Sequence, residues 1–412
     1  MAVALPFRAL RPRPDAAART HCLPYDVMNT EEAREMARGN PDSFLHVTRP
    51  EIDLPAGTDE HSDAVYAQAV TGLEDLRRRG VLIADDQACL YLYRLVMGDH
   101  SQTGLVGAFS IDEYDRGAIV KHEHTRPDKE ADRTRHILTL AAHAEPVFLI
   151  HRPSAALAAL TRAAVATAPL YDLTSSDGIR HTLWRLAEPA PFVAAFAAID
   201  PVYIADGHHR AAAASNARRA LREESRLADH TGANSLLAVA FPTDQAKILP
   251  YNRLVKDLNG RASVAFLAAL REVATVACEP AGPTSSTSSG AGDVRMFLDG
   301  RWWRLSVRPL NDDPVGRLDV QALQDRVLGP LLGIDDPRTS KRIAFVGGIR
   351  GTAPLEAAVR AGEAAGAFSL APVTPEQLLS VADAGRTMPP KSTWFEPKLR
   401  SGLFVHTLQE RP

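Results

Sequence analysis

The segment 201–226 constrains the fold more than any other part of the chain. A short apolar run, Pro201–Ala205 (PVYIA), is followed at once by Asp206-Gly207-His208-His209-Arg210 and then by the alanine-rich stretch Ala211–Arg226. An apolar run, a glycine that accepts positive φ and a series of strong helix formers predict strand, tight turn and helix in succession. The first N–H groups of a helix lack internal partners and carry partial positive charge, so a turn of this kind suits phosphate. Gly207 lets the backbone approach a ligand, and Arg210 brings a fork of donors suited to phosphate or carboxylate. Asp206, at the strand end, is placed to hold a magnesium ion or to orient a substrate hydroxyl. His208 and His209 are suited to donate to phosphate oxygens or to move protons. The plainer alternative is a helix cap carrying a solvated histidine pair.

The rest of the chain alternates in the same way, which predicts a mixed α/β or α+β architecture. Asn29–Arg38 reads as a helix capped by Asn29 with Glu32 three residues on, and a second helix runs from Asp63 to Arg79. Gln87–Met97 and Thr103–Ile111 read as a strand pair joined by Gly98-Asp99-His100, and Gly117–Thr125 as a third strand. Pro127–Ala142 reads as helix, Pro146–His151 as strand, 153–168 as helix and Ser235–Phe241 as a buried strand. Gly282–Gly292 (GPTSSTSSGAG) is low-complexity and reads as a long hairpin loop between strand-like runs at Val273–Cys278 and Val294–Val307. Lys341–Val346 reads as a strand ending in Gly347-Gly348, a tight turn rather than a phosphate loop, and Thr374-Pro375-Glu376-Gln377 as a capping box. These shifts suggest three regions: an α/β region at 1–110, a core at 111–260 and a second α/β region at 261–412.

Composition narrows the function classes. The 412 residues carry 47 Lys and Arg against 50 Asp and Glu, a formal charge of −3. Chains that live on nucleic-acid backbones usually carry a basic excess, so nucleic acid is not an expected partner. No run reaches the ~18 apolar residues of a membrane span. The N-terminal MAVALPFRALRPRP has Pro and Arg where a signal peptide needs an unbroken apolar run, so a cytoplasmic protein is expected. Cys22, Cys89 and Cys278 are too few and too scattered for a disulfide framework or a C-x-x-C site.

A second polar cluster is Lys121-His122-Glu123-His124-Thr125. In a strand, Lys121 and Glu123 share one face and His122 and His124 the other. Glu123 beside a cation is then placed to act as general base toward a hydroxyl. A metal site at His122 and His124, or a charged edge strand, are the alternatives. Near the C-terminus, Met388–Leu403 (MPPKSTWFEPKLRSGL) is irregular and rich in aromatics and proline. Its Lys391, Ser392 and Thr393 are suited to close over a nucleotide, or the segment is a tail packed on the core. Asp26, the segment 40–50, Asn252 and Arg253 lie in similar polar settings without a deciding signal.

These motifs carry a resemblance. LPYDV at 23–27, NPDSFLHVTRPE at 40–51, KHEHT at 121–125, YIADGHHR at 203–210, FVGG at 345–348 and the 388–403 segment resemble, in order, the bacterial and archaeal domain-of-unknown-function family numbered one thousand and fifteen. The D-G-H-H-R turn is similar to the D-G-x-H-R turn of free serine kinases with a ParB/sulfiredoxin-like fold. One departure is Ala211, where the wider family commonly has an aromatic. The resemblance implies a ParB/sulfiredoxin-like nucleotide-binding core with additional α/β elements, ATP or ADP and Mg2+ as cofactors, and phosphorylation of free L-serine. It implies Glu123 as base, catalytic Asp206 and His209 with Asp206 also on the metal, and phosphate contacts from Gly207, His208, Arg210, Lys121, Lys391, Ser392 and Thr393. The expected partners are a nucleotide and a small hydroxylated substrate, in a chain compatible with a homodimer. Two other classes compete: a non-enzymatic nucleotide-binding regulator, and a metal-dependent hydrolase using His122, His124, Asp206, His208 and His209.

Overall fold

The computed structural model describes residues 2–279 and 293–409. It is a mixed α/β structure divided into two compact units, Met1–Ala246 with Pro397–Pro412, and Lys247–Glu396. Among the described residues no helix is long and apolar enough to cross a membrane.

The first unit is built on a nine-stranded sheet. Its strands are β1 (Ala4–Leu5), β2 (Leu90–Met97), β3 (His100–Ser110), β4 (Ile119–Val120), β5 (Val147–His151), β6 (Tyr171–Thr174), β7 (Arg180–Leu186), β8 (Val202–Asp206) and β9 (Ser235–Pro242). They lie in the order β4-β8-β5-β9-β3-β2-β7-β6, with β1 paired to β3. The pairs β8/β4 and β9/β5 are parallel and the others are antiparallel. Phe148, Leu149, Ile150 and the run Leu236–Phe241 are buried, as expected of central strands covered on both faces. The helices α1 (Thr30–Ala37), α2 (Asp63–Arg78), α3 (Pro127–Leu140) and α4 (Ala155–Ala164) precede α5 (His208–Glu223). Asn29 and Glu32 form the expected capping box on α1.

The strand expected at Gly117–Thr125 is only Ile119–Val120. β4 pairs with Val202 and Tyr203 alone, so KHEHT continues as irregular chain beyond the ladder.

The second unit holds a six-stranded antiparallel sheet. A short pair, β10 (Lys247–Leu249) with β17 (Trp394–Glu396), flanks the larger set of β11 (Tyr251–Val255), β12 (Ala274–Glu279), β13 (Asp293–Leu298), β14 (Arg301–Val307), β15 (Ile343–Gly347) and β16 (Gly366–Ser369). Their order is β12-β14-β13-β16-β11-β15. The run Val294–Val307 is therefore a hairpin turning at Asp299-Gly300, and β14 lies between β12 and β13. The two strands flanking 280–292 do not pair with each other, and the expected loop itself lies outside the described residues. Helices α6 (Ser263–Val273) and α7 (Pro375–Asp383) belong to this unit, and Thr374 and Gln377 close the capping box on α7.

The first unit buries an unusual number of imidazoles. Burial pulls His21 and His122 down to about 4, His136 and His143 to about 3 and His181 to about 2. From pH 6.5 down to about 4 the unfolded chain binds protons at these rings that the folded chain refuses. Folding stability must therefore fall as pH is lowered through that window, by up to ~1.4 kcal/mol per pH unit for each ring. His46, raised by its hydrogen bond to Asp53, acts in the opposite sense. Urea midpoints measured from pH 7.5 to 4.5 should drop steeply below 6.5, and a flat profile would show that these rings are not held neutral.

Candidate active site

β8 delivers Asp206 to the turn, and Gly207 takes φ +95°, ψ 32° at the cap of α5 with no side-chain capping bond. A Cβ at Gly207 would lie 2.8 Å from Arg210 Nε. The left-handed backbone favours glycine here, and any side chain would also have to displace the folded-back guanidinium. Arg210 is buried, donates from NH1 to the Pro146 carbonyl and lies 3.7 Å from Asp206 Oδ2. Lys398 Nζ donates to the same carboxylate oxygen at 3.0 Å. Burial pushes the Asp206 carboxyl up, but Lys398 and Arg210 overcome it and hold the group well below the usual carboxylate range.

The next residue faces another way. His208 is buried, and its Nε2 accepts the His122 backbone N–H at 3.5 Å. Burial, then the neighbouring His122, push its imidazole well below the ordinary value, so the ring is neutral at pH 7. With Nε2 accepting, the proton sits on Nδ1, 3.8 Å from Glu123 Oε2. The His122 ring packs edge-on against His208 at 4.5 Å.

Glu123 and His208 share the wall of a polar cleft of ≈300 Å³ with Lys121, Glu130, Ser215, Asn216 and Arg219. α5 supplies three of those residues from its flank, because Ala212, Ser215, Asn216 and Arg219 recur on one helical face. Asn216 Nδ2 donates to Glu130 Oε2 at 3.1 Å, Ser215 Oγ donates to Asp115 at 2.7 Å, and the Lys121 ammonium stands 3.8 Å over the Tyr114 ring. Lys121 and Glu123 thus meet at one surface while His122 is buried behind them, although no strand imposes the alternation.

The other expected site residues are distributed as follows. His209 is half-buried, with its imidazole lowered by burial and opposed by the charge of Asp26. Asp206, Gly207, His209 and Arg210 are not part of the cleft wall. Lys391, Ser392 and Thr393 belong to the Lys247–Glu396 unit. Sequence reasoning missed Lys398, which lies in the same 388–403 segment as Lys391 but on the first unit's side of the boundary. It also missed the flank of α5, whose small polar residues look like solvated surface in an alanine-rich helix.

Asp206 does not fit a cation site, because two positive side chains already flank its carboxylate. Among the described residues no three His, Cys, Asp or Glu side chains come together as a metal-binding group. The five-residue set expected for a hydrolase is therefore not assembled.

The family model for proteins of unknown function designated DUF1015 matches residues 4–321. The chain belongs to that family. Among curated proteins none matches. Solved structures with detectable similarity include a conserved hypothetical protein from Pyrococcus furiosus, at 13% identity over 72% of this chain and 95% of that one, TM-score 0.36. A free serine kinase in complex with AMP is similar at 12% identity over 72% of this chain and 92% of the other, TM-score 0.36. SbnI from Staphylococcus aureus, truncated at its C-terminus, is similar at 14% identity over 74% and 90%, TM-score 0.39. Superpositions this loose assign no role to any residue of this DUF1015 chain.

The Asp206–Lys398 contact is testable. Asp206→Asn and Lys398→Met should each lower unfolding free energy by roughly 2 kcal/mol, discounted for the partial exposure of the carboxylate. The double variant should lose less than the sum, with a coupling of ~1–2 kcal/mol in a urea-denaturation cycle. Additive losses would mean that the pair does not secure the turn.

Proposed function

We propose that this DUF1015 chain is a nucleotide-dependent small-molecule kinase whose acceptor is a hydroxyl compound such as free L-serine. The observation that carries the reading is the Glu123 carboxylate facing His208 Nδ1 at 3.8 Å, at the mouth of a polar cleft and at the first turn of α5. Phosphoryl transfer needs positioning and charge stabilisation more than covalent chemistry from the protein. A carboxylate at the wall of the cleft accepts the proton of the attacking hydroxyl. The uncapped N–H groups at the start of α5 suit the phosphates of ATP or ADP. His208, neutral with its proton on Nδ1, faces the Glu123 carboxylate at 3.8 Å, beyond hydrogen-bond length in this structure. Lys121 and Arg219 supply positive charge where anionic groups of the substrates gather. His209, half-buried at the same helix start but outside the cleft wall, has no contact with the transferring group in this reading. In this reading Asp206 and Arg210 are positioning residues that secure the turn. Magnesium, if it accompanies the nucleotide, is carried by the phosphates rather than by Asp206.

Incubating the full chain with ATP or ADP, magnesium and a panel of hydroxylated metabolites should yield a phosphorylated product, O-phosphoserine foremost, detected by mass spectrometry. Glu123→Gln should lower kcat by ~10²–10⁴-fold while nucleotide affinity, read by equilibrium titration, stays within about twofold. Nucleotide binding without any phosphorylated product would instead favour a regulator, and an unchanged rate in Glu123→Gln would remove the base from the scheme.

A further inference from the structure

The Lys247–Glu396 unit contains a buried arginine that its own fold does not neutralise. Arg253, on β11, is 3% exposed. Its NH1 donates to the Tyr251 carbonyl, its NH2 donates to the Lys391 carbonyl at 3.0 Å, and its guanidinium carbon lies 5.5 Å from the Phe345 ring centre. Among the described residues it forms no ion pair. Two main-chain carbonyls occupy two of its five N–H donors and cancel none of its charge. Leaving a cation buried without a counter-charge costs several kcal/mol in general, and fully buried arginines are almost always paired. Burial here is strong enough to pull the guanidinium down to about 9, with only Tyr251 opposing it.

Arg253 also lines a cleft. Tyr251, Asp319, Gln377 and Ser392 form its polar wall, and Leu370 and Val373 are among its apolar residues. The cleft is small, ≈10 Å³, about the room of one water-sized group. Lys391, outside the wall but next in the chain to Ser392, takes a left-handed conformation at φ 54° and holds its ammonium 5.3 Å from the centre of the ring of Tyr251, a wall residue. Asp319 contributes one negative charge to the wall against the positive charges of Arg253 and Lys391.

We propose that this cleft takes one oxygen of a small oxyanion, a phosphate or carboxylate head group, with Arg253 as its buried counter-charge and Lys391 nearby. A guanidinium with donors to spare suits an anionic oxygen of such a group. The room admits a single oxygen and leaves the rest of the head group at the opening, and the apolar wall strengthens the attraction by lowering the local polarity. The site lies wholly within this unit and does not rest on the kinase reading.

The test is thermal unfolding of the full chain followed by tryptophan fluorescence, because Trp302, Trp303 and Trp394, three of the four tryptophans, belong to this unit. Inorganic phosphate or acetate, against sodium chloride at matched ionic strength, should raise Tm by about 3 °C or more once well above its Kd. The more effective of the two identifies the head group as phosphate or carboxylate. Arg253→Met should lose the increment, and Lys391→Ala, an exposed change, should reduce it by at least half. No increment in the wild type, an equal increment from chloride, or an increment retained in Arg253→Met would overturn the proposal. If Arg253→Met fails to fold, the increment in Lys391→Ala decides the matter, and its full retention counts against the site.

Discussion

A single carboxylate sets up the rest of the candidate site. Asp206 is held between Lys398 and Arg210, and this arrangement fixes where β8 stops and how α5 begins. Arg210 folds back over Gly207, so a side chain there would have to displace its guanidinium. Because Asp206 and Arg210 turn inward, His208 is the residue of the motif that reaches the cleft. Its neutral ring, whose Nε2 accepts the His122 backbone N–H, stands 3.8 Å from the Glu123 carboxylate. A polar pentapeptide that looks like a uniform ligand grip is thus divided between support and contact.

That division also explains which readings of the site gain and which lose. A phosphate turn and a nearby carboxylate base are compatible with an inward Arg210, since main-chain N–H groups hold phosphate without it. A metal held at Asp206 is not compatible with two adjacent cations. The same electrostatic reasoning separates the two units. In the first, buried arginines face carboxylates, as Arg133 faces Asp132 at 2.8 Å. In the second, Arg253 has main-chain carbonyls and an aromatic ring instead.

Local signals in the sequence were legible where the chemistry is local. The capping boxes at Asn29 and Thr374, the helix after Gly207 and the buried strand at 235–242 follow from residues within a few positions of one another. The strand expected at 117–125 fails because strand formation needs a neighbour, and the ladder with β8 ends at Tyr203. Val294–Val307 reads as one strand-like run, yet Asp299-Gly300 breaks it into a hairpin that inserts β14 beside β12. The approach of Glu123 to His208 is legible only as a neighbourhood, through Glu123 and the turn. Lys398 stands 192 residues from Asp206, and nothing in either local sequence announces the other.

The C-terminal return of the chain has a consequence for how the molecule is made. Lys398, Arg400, Ser401 and His406 reach Asp206, Asp177, Glu145 and Ser235 respectively, all in the first unit. Synthesis delivers those side chains only after the whole of 247–396 has left the ribosome. Until then the nascent first unit lacks the Lys398 partner of Asp206, so the stretch between its two pieces acts as a delay line, and the turn that opens α5 is among the last parts of the molecule to be secured.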